Sequence, residues 1–135
     1  MEIKTEYLGC SKFEVSTRGH RVICDQPRDN GGEDSGMTPP EFLLASLGAC
    51  AAYYGTRYLI TQGLDPKPFR VGVVAEKAVR PARLSSFRIE IEAPELDEHR
   101  REGLMRAVKA CLIHNTLLAQ PAIDIVLNSP ALIKA

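Results

Sequence analysis

The sequence predicts an α+β fold with the element order βββ-α-ββ-α-β. Short segments of alternating polarity that end at glycine or proline indicate β-strands, and two longer segments with apolar residues at helical spacing indicate amphipathic helices. Strands and helices in this order are typical of α+β proteins. The length of 135 residues suits one domain, which we assign to residues 1–135.

The charge balance and the N-terminal segment exclude several classes of protein. The 17 basic and 17 acidic residues cancel, so the chain lacks the field that attracts nucleic acid or an anionic membrane surface. The first residues lack the apolar run of a signal peptide, and no stretch is long enough to span a membrane. We therefore expect a cytoplasmic protein with four reduced cysteines and with neither nucleic acid nor a membrane as partner.

The first 25 residues predict a three-stranded antiparallel meander. The predicted strands are residues 3–7, 12–16 and 20–24. Turns that contain glycine separate them, and Cys10 lies in the first turn. Cys24 alternates with Val22, which predicts a core position in the third strand. A loop rich in glycine, aspartate and asparagine follows over residues 26–37.

The first helix begins at a predicted capping box. Thr38 is the N-cap, Pro39 is the first helical residue, and Glu41 is the carboxylate that returns to the N-cap. The helix is predicted to run through about Gln62 and to end at Gly63. It is apolar on several sides, which indicates burial on more than one face. A domain of this size offers few surfaces to bury those faces, which favours a partner subunit that covers the remaining apolar surface.

Three strands and a second helix complete the predicted chain. The strands are residues 69–79, 87–93 and 123–127, and a short tail follows the last one. The inward residues of the middle strand are Phe87, Ile89 and Ile91. The second helix opens with Asp97 as its N-cap and ends near Cys111. Residues 114–118 form a turn or a further short helical piece.

Two cysteines lie on the predicted apolar faces of the two helices. The first stripe consists of Leu43, Leu47, Cys50 and Tyr54, and the second of Leu104, Ala107, Val108 and Cys111. If the stripes face each other, the sulfurs of Cys50 and Cys111 meet inside the protein, and such a thiol pair indicates redox chemistry. The alternative is that both are small hydrophobic core residues, because free cysteine is often fully buried.

The segments around these cysteines resemble the signature of the OsmC/Ohr family. The matching segments are Gly31-Gly32, residues 38–50 (TPPEFLLASLGAC) and residues 111–117 (CLIHNTL). The resemblance covers nearly the whole chain. It is strongest to the OsmC-like branch whose second motif is Cys-x-x-His-Asn-Thr-Leu.

The resemblance implies both an assembly and a reaction. It implies an intertwined homodimer with long central helices packed in the dimer core. It also implies a thiol peroxidase that reduces organic hydroperoxides with two cysteines, uses no metal or organic cofactor, and is reduced again by a thiol or a dithiol such as a lipoylated protein. By position in the motifs, Cys50 would be the attacking thiol and Cys111 the resolving one.

The sequence departs from the family at the groups that activate the attacking cysteine. The family's peroxidases use an Arg–Glu pair, and the position of that glutamate is occupied here by Pro40, with Glu41 one residue later. The turn that supplies the arginine reads Gly9-Cys10-Ser11-Lys12. Glu41 is therefore either an activating carboxylate or only the capping partner of Thr38.

Other side chains are candidates for the activating role. They are Arg57, His114, Arg18 and Tyr54, with Lys12 and Arg21 as further cations. Arg57 follows Cys50 by seven residues on one helical face, and His114 follows Cys111 by three. A nearby cation or imidazole lowers a thiol pKa. Each candidate is equally explained as an ordinary surface, turn or packing residue.

Three other functions stay open at this level. The same fold without peroxidase activity would serve as a redox sensor or as a binder of small electrophiles. A metal site could be built from Cys50, Cys111 and His114 across a dimer, although nothing in their spacing requires one and the chain lacks a CxxC motif. Inert cysteines in a structural protein are the third possibility.

Overall fold

An antiparallel meander forms the N-terminal part of the structure, a computed structural model that describes residues 1–128. Its strands are β1 (Lys4–Gly9), β2 (Lys12–Thr17) and β3 (His20–Cys24), in the order β1-β2-β3. The cross-strand pairs include Tyr7 with Phe13 and Val15 with Val22. The predicted strands are confirmed, and the predicted tail beyond residue 128 lies outside the described residues.

The meander leaves much of its apolar surface uncovered within this chain. Its exposed apolar side chains are Ile3, Tyr7, Leu8, Phe13 and Val22. The strand end at Cys24 is different, because this residue is only 6 % exposed, which confirms the predicted core position even though Val22 is exposed. Most of the meander therefore contributes little to the core of its own chain.

The long helix α1 (Pro39–Thr61) begins and ends where the sequence predicts. Thr38 is its N-cap and Glu41 completes the capping box. At the other end, Gly63 has a φ of 71°, a conformation that glycine adopts without strain. Residues at or next to its termini thus set both ends of the helix.

A hairpin and two helices follow α1. They are β4 (Arg70–Val79), β5 (Ala82–Glu92), α2 (Glu98–Lys109) and α3 (Leu112–Leu118). The N-cap of α2 is Asp97, whose carboxylate accepts a hydrogen bond from the Arg100 backbone at 2.8 Å, as predicted. The strand β5 starts at Ala82 rather than at the predicted residue 87, because its first half continues the ladder with β4.

The core lies where α1 packs against α2 and the hairpin. Its buried cluster consists of Ala51, Leu59, Leu104 and Val108. Glycine permits the close approach of the elements, since a Cβ at Gly103 would clash with the Tyr58 ring and a Cβ at Gly55 would lie 2.5 Å from Phe69.

Within residues 1–128, no helix is both long and apolar enough to cross a membrane.

The predicted strand over residues 123–127 is wrong for the described chain. These residues have no regular secondary structure, and Ile123, Ile125, Val126 and Leu127 are exposed. A strand needs a neighbour that accepts its backbone hydrogen bonds, and no strand of this chain within residues 1–128 pairs with the segment. Its composition favours β-structure, but the single chain offers it no partner.

Candidate active site around two cysteines

Cys50 and Cys111 come together where α1 meets the junction of α2 and α3. Cys50 lies in the middle of α1, and Cys111 is the N-cap of α3. The two thiols lie close enough for Cys50 to raise the pKa of Cys111, and both are free rather than in a disulfide. The structure therefore holds an adjacent pair of reduced thiols that come from different helices.

The environment of Cys111 favours its protonated form. Its side chain is fully buried, at 0 % exposure. Burial raises the pKa of the Cys111 thiol above its ordinary value, and the hydrogen bond with Cys50 raises it further. Backbone hydrogen bonds from His114 and Ile113 act in the opposite direction but do not reverse the shift. Cys111 thus keeps its proton and can donate it to the Cys50 sulfur.

Cys50 is more accessible than its predicted stripe implies. The fully buried residues of α1 are Leu47, Ala51, Gly55 and Leu59, a repeat of four that faces α2 and the hairpin. Cys50 lies beside this stripe and is half-buried. The predicted stripe differs by one position at Cys50 and Tyr54, because the small residues Ala51 and Gly55 take the buried positions, where Gly55 packs against Phe69.

An apolar groove lies next to the thiol pair. Its volume is about 700 Å³. Its lining includes leucines of α1, the inner face of β5, and parts of α2 and α3. Leu47 lies one helical turn before Cys50, and Val108 and His114 lie three residues on either side of Cys111. A ligand with an apolar body can therefore occupy space adjacent to the thiols.

His114 connects the groove to Cys111. Its backbone N–H donates to the Cys111 Sγ at 3.5 Å, and its side chain lines the groove. The Nδ1 atom is buried and has no hydrogen-bond partner among residues 1–128. Leaving a buried polar atom unsatisfied costs about 1–3 kcal/mol, so such an atom calls for a functional explanation.

Glu41 is engaged at the start of α1. Its carboxylate accepts hydrogen bonds from the Thr38 backbone N–H at 2.7 Å and from the Thr38 hydroxyl at 2.9 Å. These bonds hold the pKa of Glu41 below its ordinary value. Glu41 precedes Cys50 by nine residues, roughly 13 Å along the helix axis at 1.5 Å per residue. The capping role is observed, and a catalytic role for Glu41 stays a prediction.

The other activation candidates are spread over the chain. Arg57 is exposed, and Arg18 lies exposed in the turn between β2 and β3. Tyr54 is half-buried and packs edge-on against Tyr53, with ring centroids 5.6 Å apart. In the described part of the chain, no hydrogen bond or ion pair joins Arg57, Arg18 or Tyr54 to either thiol.

The two further cations are paired elsewhere. Lys12 forms an ion pair with Glu33 at 2.6 Å, and Arg21 lies 3.6 Å from Glu14. His114 is therefore the activation candidate that the contacts connect to the thiol pair.

Comparison with known proteins assigns the family. The OsmC-like protein family matches residues 32–126, which include both cysteines and the groove. The chain belongs to this family. No protein of curated function matches the sequence.

Solved structures share the OsmC-like fold at low sequence identity. An OsmC-like protein from Mycoplasma pneumoniae is 19 % identical with a TM-score of 0.74, and the match covers 88 % of this chain and 87 % of that one. An organic hydroperoxide resistance protein OsmC from Legionella pneumophila is 16 % identical with a TM-score of 0.62, over 88 % and 90 %. The organic hydroperoxide resistance protein OhrB of Bacillus subtilis is 12 % identical with a TM-score of 0.61, over 89 % and 93 %.

The carboxylate of Asp25 holds the loop before α1 in place in this OsmC-like chain. This residue was not among the sites predicted from the sequence. Asp25 is 1 % exposed and accepts five hydrogen bonds. The donors are the hydroxyls of Ser11 and Ser35 and the backbone N–H groups of Gln26, Glu33 and Ser35. These bonds hold the pKa of Asp25 far below its ordinary value. The sequence feature that could have indicated this role is an aspartate at the end of a strand, directly before a loop rich in glycine and serine.

Residues 1–128 contain no group of side chains arranged as metal ligands. Within residues 1–128, no three histidine, cysteine, aspartate or glutamate side chains are grouped so that they could hold a metal ion. The combination of Cys50, Cys111 and His114 is thus not grouped as a ligand set within the described part of one chain, and a site shared between two subunits stays an untested alternative.

Proposed function

We propose that this OsmC-like protein reduces organic hydroperoxides through Cys50 and Cys111. The observation that carries the proposal is that these two free thiols are neighbours from different helices, beside an apolar groove. The hydroperoxide-resistance proteins of Legionella pneumophila and Bacillus subtilis, which have the same fold, support it. A disulfide requires Cα atoms within about 7 Å, a condition that neighbouring thiols favour.

The two cysteines have different environments, which supports different roles. Cys50 is half-buried, so a peroxide can reach its sulfur. Cys111 is fully buried and keeps its proton, because burial and the hydrogen bond with Cys50 raise its pKa. The thiolate is the nucleophile in peroxide reduction, and we therefore assign attack to Cys50 and resolution to Cys111.

The reaction proceeds in two balanced steps. The Cys50 thiolate attacks the terminal oxygen of the hydroperoxide, the O–O bond breaks, and an alkoxide leaves as Cys50 becomes a sulfenic acid. The Cys111 thiol then attacks the sulfenic sulfur, and a disulfide and water form. A thiol or dithiol reductant supplies the two electrons that restore both thiols. Neither step calls for a metal or an organic cofactor.

The groove supports an organic substrate rather than hydrogen peroxide. Its walls include Leu43, Leu47 and Phe87, which offer apolar contact to an alkyl or aryl group. Hydrogen peroxide has no apolar part and gains nothing from these contacts. We therefore expect faster turnover of cumene hydroperoxide than of hydrogen peroxide.

We also propose that the protein works as a homodimer in the cytoplasm. The meander exposes Tyr7, Leu8 and Val22, and the segment over residues 123–127 is apolar and exposed. A monomer rarely presents so much apolar surface to water, and a second copy of the chain is the simplest cover. Light scattering coupled to size-exclusion chromatography tests this: a mass near 14.9 kDa would contradict the dimer.

One observation favours a second candidate function. Glu41 accepts hydrogen bonds from Thr38, and no arginine within residues 1–128 donates a hydrogen bond to either thiol. A thiol pair without that activation would react once with an oxidant or electrophile and serve as a sensor or binder. The two functions differ in turnover, so one kinetic experiment separates them.

The test is stopped-flow consumption of cumene hydroperoxide by the reduced protein. The wild type should consume it rapidly, form a Cys50–Cys111 disulfide, and turn over when a dithiol is added. Cys50→Ser should lose the reaction, whereas Cys111→Ser should react once and stop at the sulfenic acid. Cys10→Ser, which changes an exposed cysteine, is the matched control and should behave as the wild type. A reaction no faster than that of a free thiol would overturn the proposal.

A further inference from the structure

We infer that His114 donates a proton to the alkoxide that leaves when Cys50 reduces a hydroperoxide. This inference rests on the proposed peroxidase function and assigns an additional residue to it. Three features of the described chain carry it: the position of the His114 side chain in the groove, its buried Nδ1 atom without a partner, and the hydrogen bonds around it.

His114 belongs both to the surroundings of Cys111 and to the wall of the groove. Its backbone N–H donates to the Cys111 sulfur at 3.5 Å, and Cys50 is close enough to raise the pKa of Cys111. Its side chain lines the groove in which a substrate tail would bind. The proposed pose puts the tail of a hydroperoxide in the groove, its terminal oxygen at Cys50 and its second oxygen toward His114.

The Nδ1 atom of His114 is a buried polar atom of the groove wall that makes no hydrogen bond within residues 1–128. The hydroxyls of Ser85 and Ser86, which also line the groove, already donate to Glu76, at 3.2 Å to its backbone oxygen and 3.1 Å to its carboxylate. Lys109 is exposed at the edge. The proposal therefore assigns to Nδ1 a partner from a molecule bound in the groove.

Proton donation by His114 neutralises the alkoxide that leaves when the O–O bond breaks. When the Cys50 thiolate bonds to the terminal oxygen, the O–O bond pair goes to the second oxygen and leaves an alkoxide, a strong base that is costly in an apolar groove. A proton from Nδ1 converts it to a neutral alcohol, and the imidazole takes up another proton from water. Histidine suits this role because it both donates and accepts protons near neutral pH.

The leaving group distinguishes this role from a structural one. An alkyl hydroperoxide expels an alkoxide, which needs a proton, whereas a peracid expels a carboxylate, which does not. The experiment measures the second-order rate of the reduced protein with tert-butyl hydroperoxide and with peracetic acid, for His114→Phe and His114→Asn. Phenylalanine keeps a ring in the groove, and asparagine keeps a polar group that cannot transfer a proton. Circular dichroism checks that each variant is folded.

The expected result is a selective loss. Both variants should react with tert-butyl hydroperoxide roughly 100-fold more slowly, the usual effect of removing a general acid, and with peracetic acid within about threefold of the wild type. His99→Asn, a change at an exposed histidine of α2, is the matched control and should alter neither rate.

The contrary outcomes are distinct. Unchanged rates, or an equal loss with both oxidants, would overturn the assignment of His114 while leaving the peroxidase proposal intact. A wild type that reacts with neither oxidant faster than a free thiol would overturn both.

Discussion

The backbone N–H of His114 donates a hydrogen bond to the Sγ of Cys111 at 3.5 Å, at the point where α2 has ended and α3 begins. Cys111 is thus the N-cap of α3, and the first turn of this helix carries the imidazole into the groove. Because Cys50 is close enough to this sulfur to raise its pKa, the helix junction connects the thiol pair to the groove wall. A displacement of α3 would therefore alter the thiols and the groove together.

The first prediction concerns the ionisation of Cys111. Alkylation of a thiol follows its thiolate fraction, so the pH midpoint of the rate reports the pKa. Burial and the hydrogen bond with Cys50 raise the pKa of Cys111, and its midpoint should lie above the ordinary 9.0. Cys50→Ala removes the hydrogen bond and should move the midpoint down, although burial still keeps it raised. Mass spectrometry of iodoacetamide-treated protein at a series of pH values measures it.

Cys10→Ala is the control for this experiment, because Cys10 is exposed and distant in sequence from the pair. It should leave the Cys111 midpoint where it is in the wild type. A wild-type midpoint at or below 9.0 would contradict the assignment of Cys111 as the protonated partner.

The elements whose ends depend on neighbouring residues were predictable from the sequence. Thr38, Pro39 and Glu41 mark the start of α1, and Asp97 marks the start of α2, because each cap is formed within three residues. The inward alternation of β5 is confirmed for the same local reason, since side chains of a strand alternate between two faces. Interactions of this range are contained in the sequence pattern itself.

The features that depend on distant parts of the chain were not predictable. The segment over residues 123–127 has a strand-like composition, but whether it pairs depends on a partner that lies elsewhere. The buried stripe of α1 was misplaced by one position because Gly55 packs against Phe69 and Gly103 against Tyr58, and such packing shows only in the fold. The groove joins α1, β5 and α3, so the unpartnered Nδ1 of His114 could not be foreseen either.

The second prediction concerns Asp25 and acid stability. Asp25→Asn keeps the size of the side chain but replaces an acceptor oxygen by a donor amide that faces N–H and O–H donors. The folded-state pKa of Asp25 is far below its ordinary value of 3.8, so the carboxylate stabilises the fold above pH 3.8. That stabilisation is lost as the pH falls from this value toward the folded pKa.

Thermal unfolding between pH 7 and pH 2 measures the effect. Asp25→Asn should have a lower Tm than the wild type at pH 7, and the difference should shrink below about pH 4, where Asp25 of the unfolded chain takes up its proton. Asp29→Asn, an exposed aspartate of the same loop, should follow the wild type at every pH. A gap in Tm that stays constant with pH would mean that the charge of Asp25 is not what stabilises the loop.

The third prediction concerns the contact between α1 and α2. Gly103 is buried on α2, and a Cβ there would clash with the ring and the hydroxyl of Tyr58 on α1. In an exposed helix, glycine to alanine stabilises by about 0.8–1.0 kcal/mol. Here the clash should reverse the sign, and Gly103→Ala should lower the free energy of unfolding by about 1–3 kcal/mol, the usual range for an overpacked core.

A double variant identifies the cause of that loss. Tyr58→Phe removes the hydroxyl, which is the first atom that the new Cβ would meet, so it should recover part of the stability of Gly103→Ala. Gly72→Ala is the control, because nothing lies within 4 Å of a Cβ at that position. Urea denaturation of the wild type, the two single variants, the double variant and the control supplies the free energies. If Gly103→Ala is more stable than the wild type, helix propensity outweighs the contact, and α2 lies farther from α1 than the buried glycine implies.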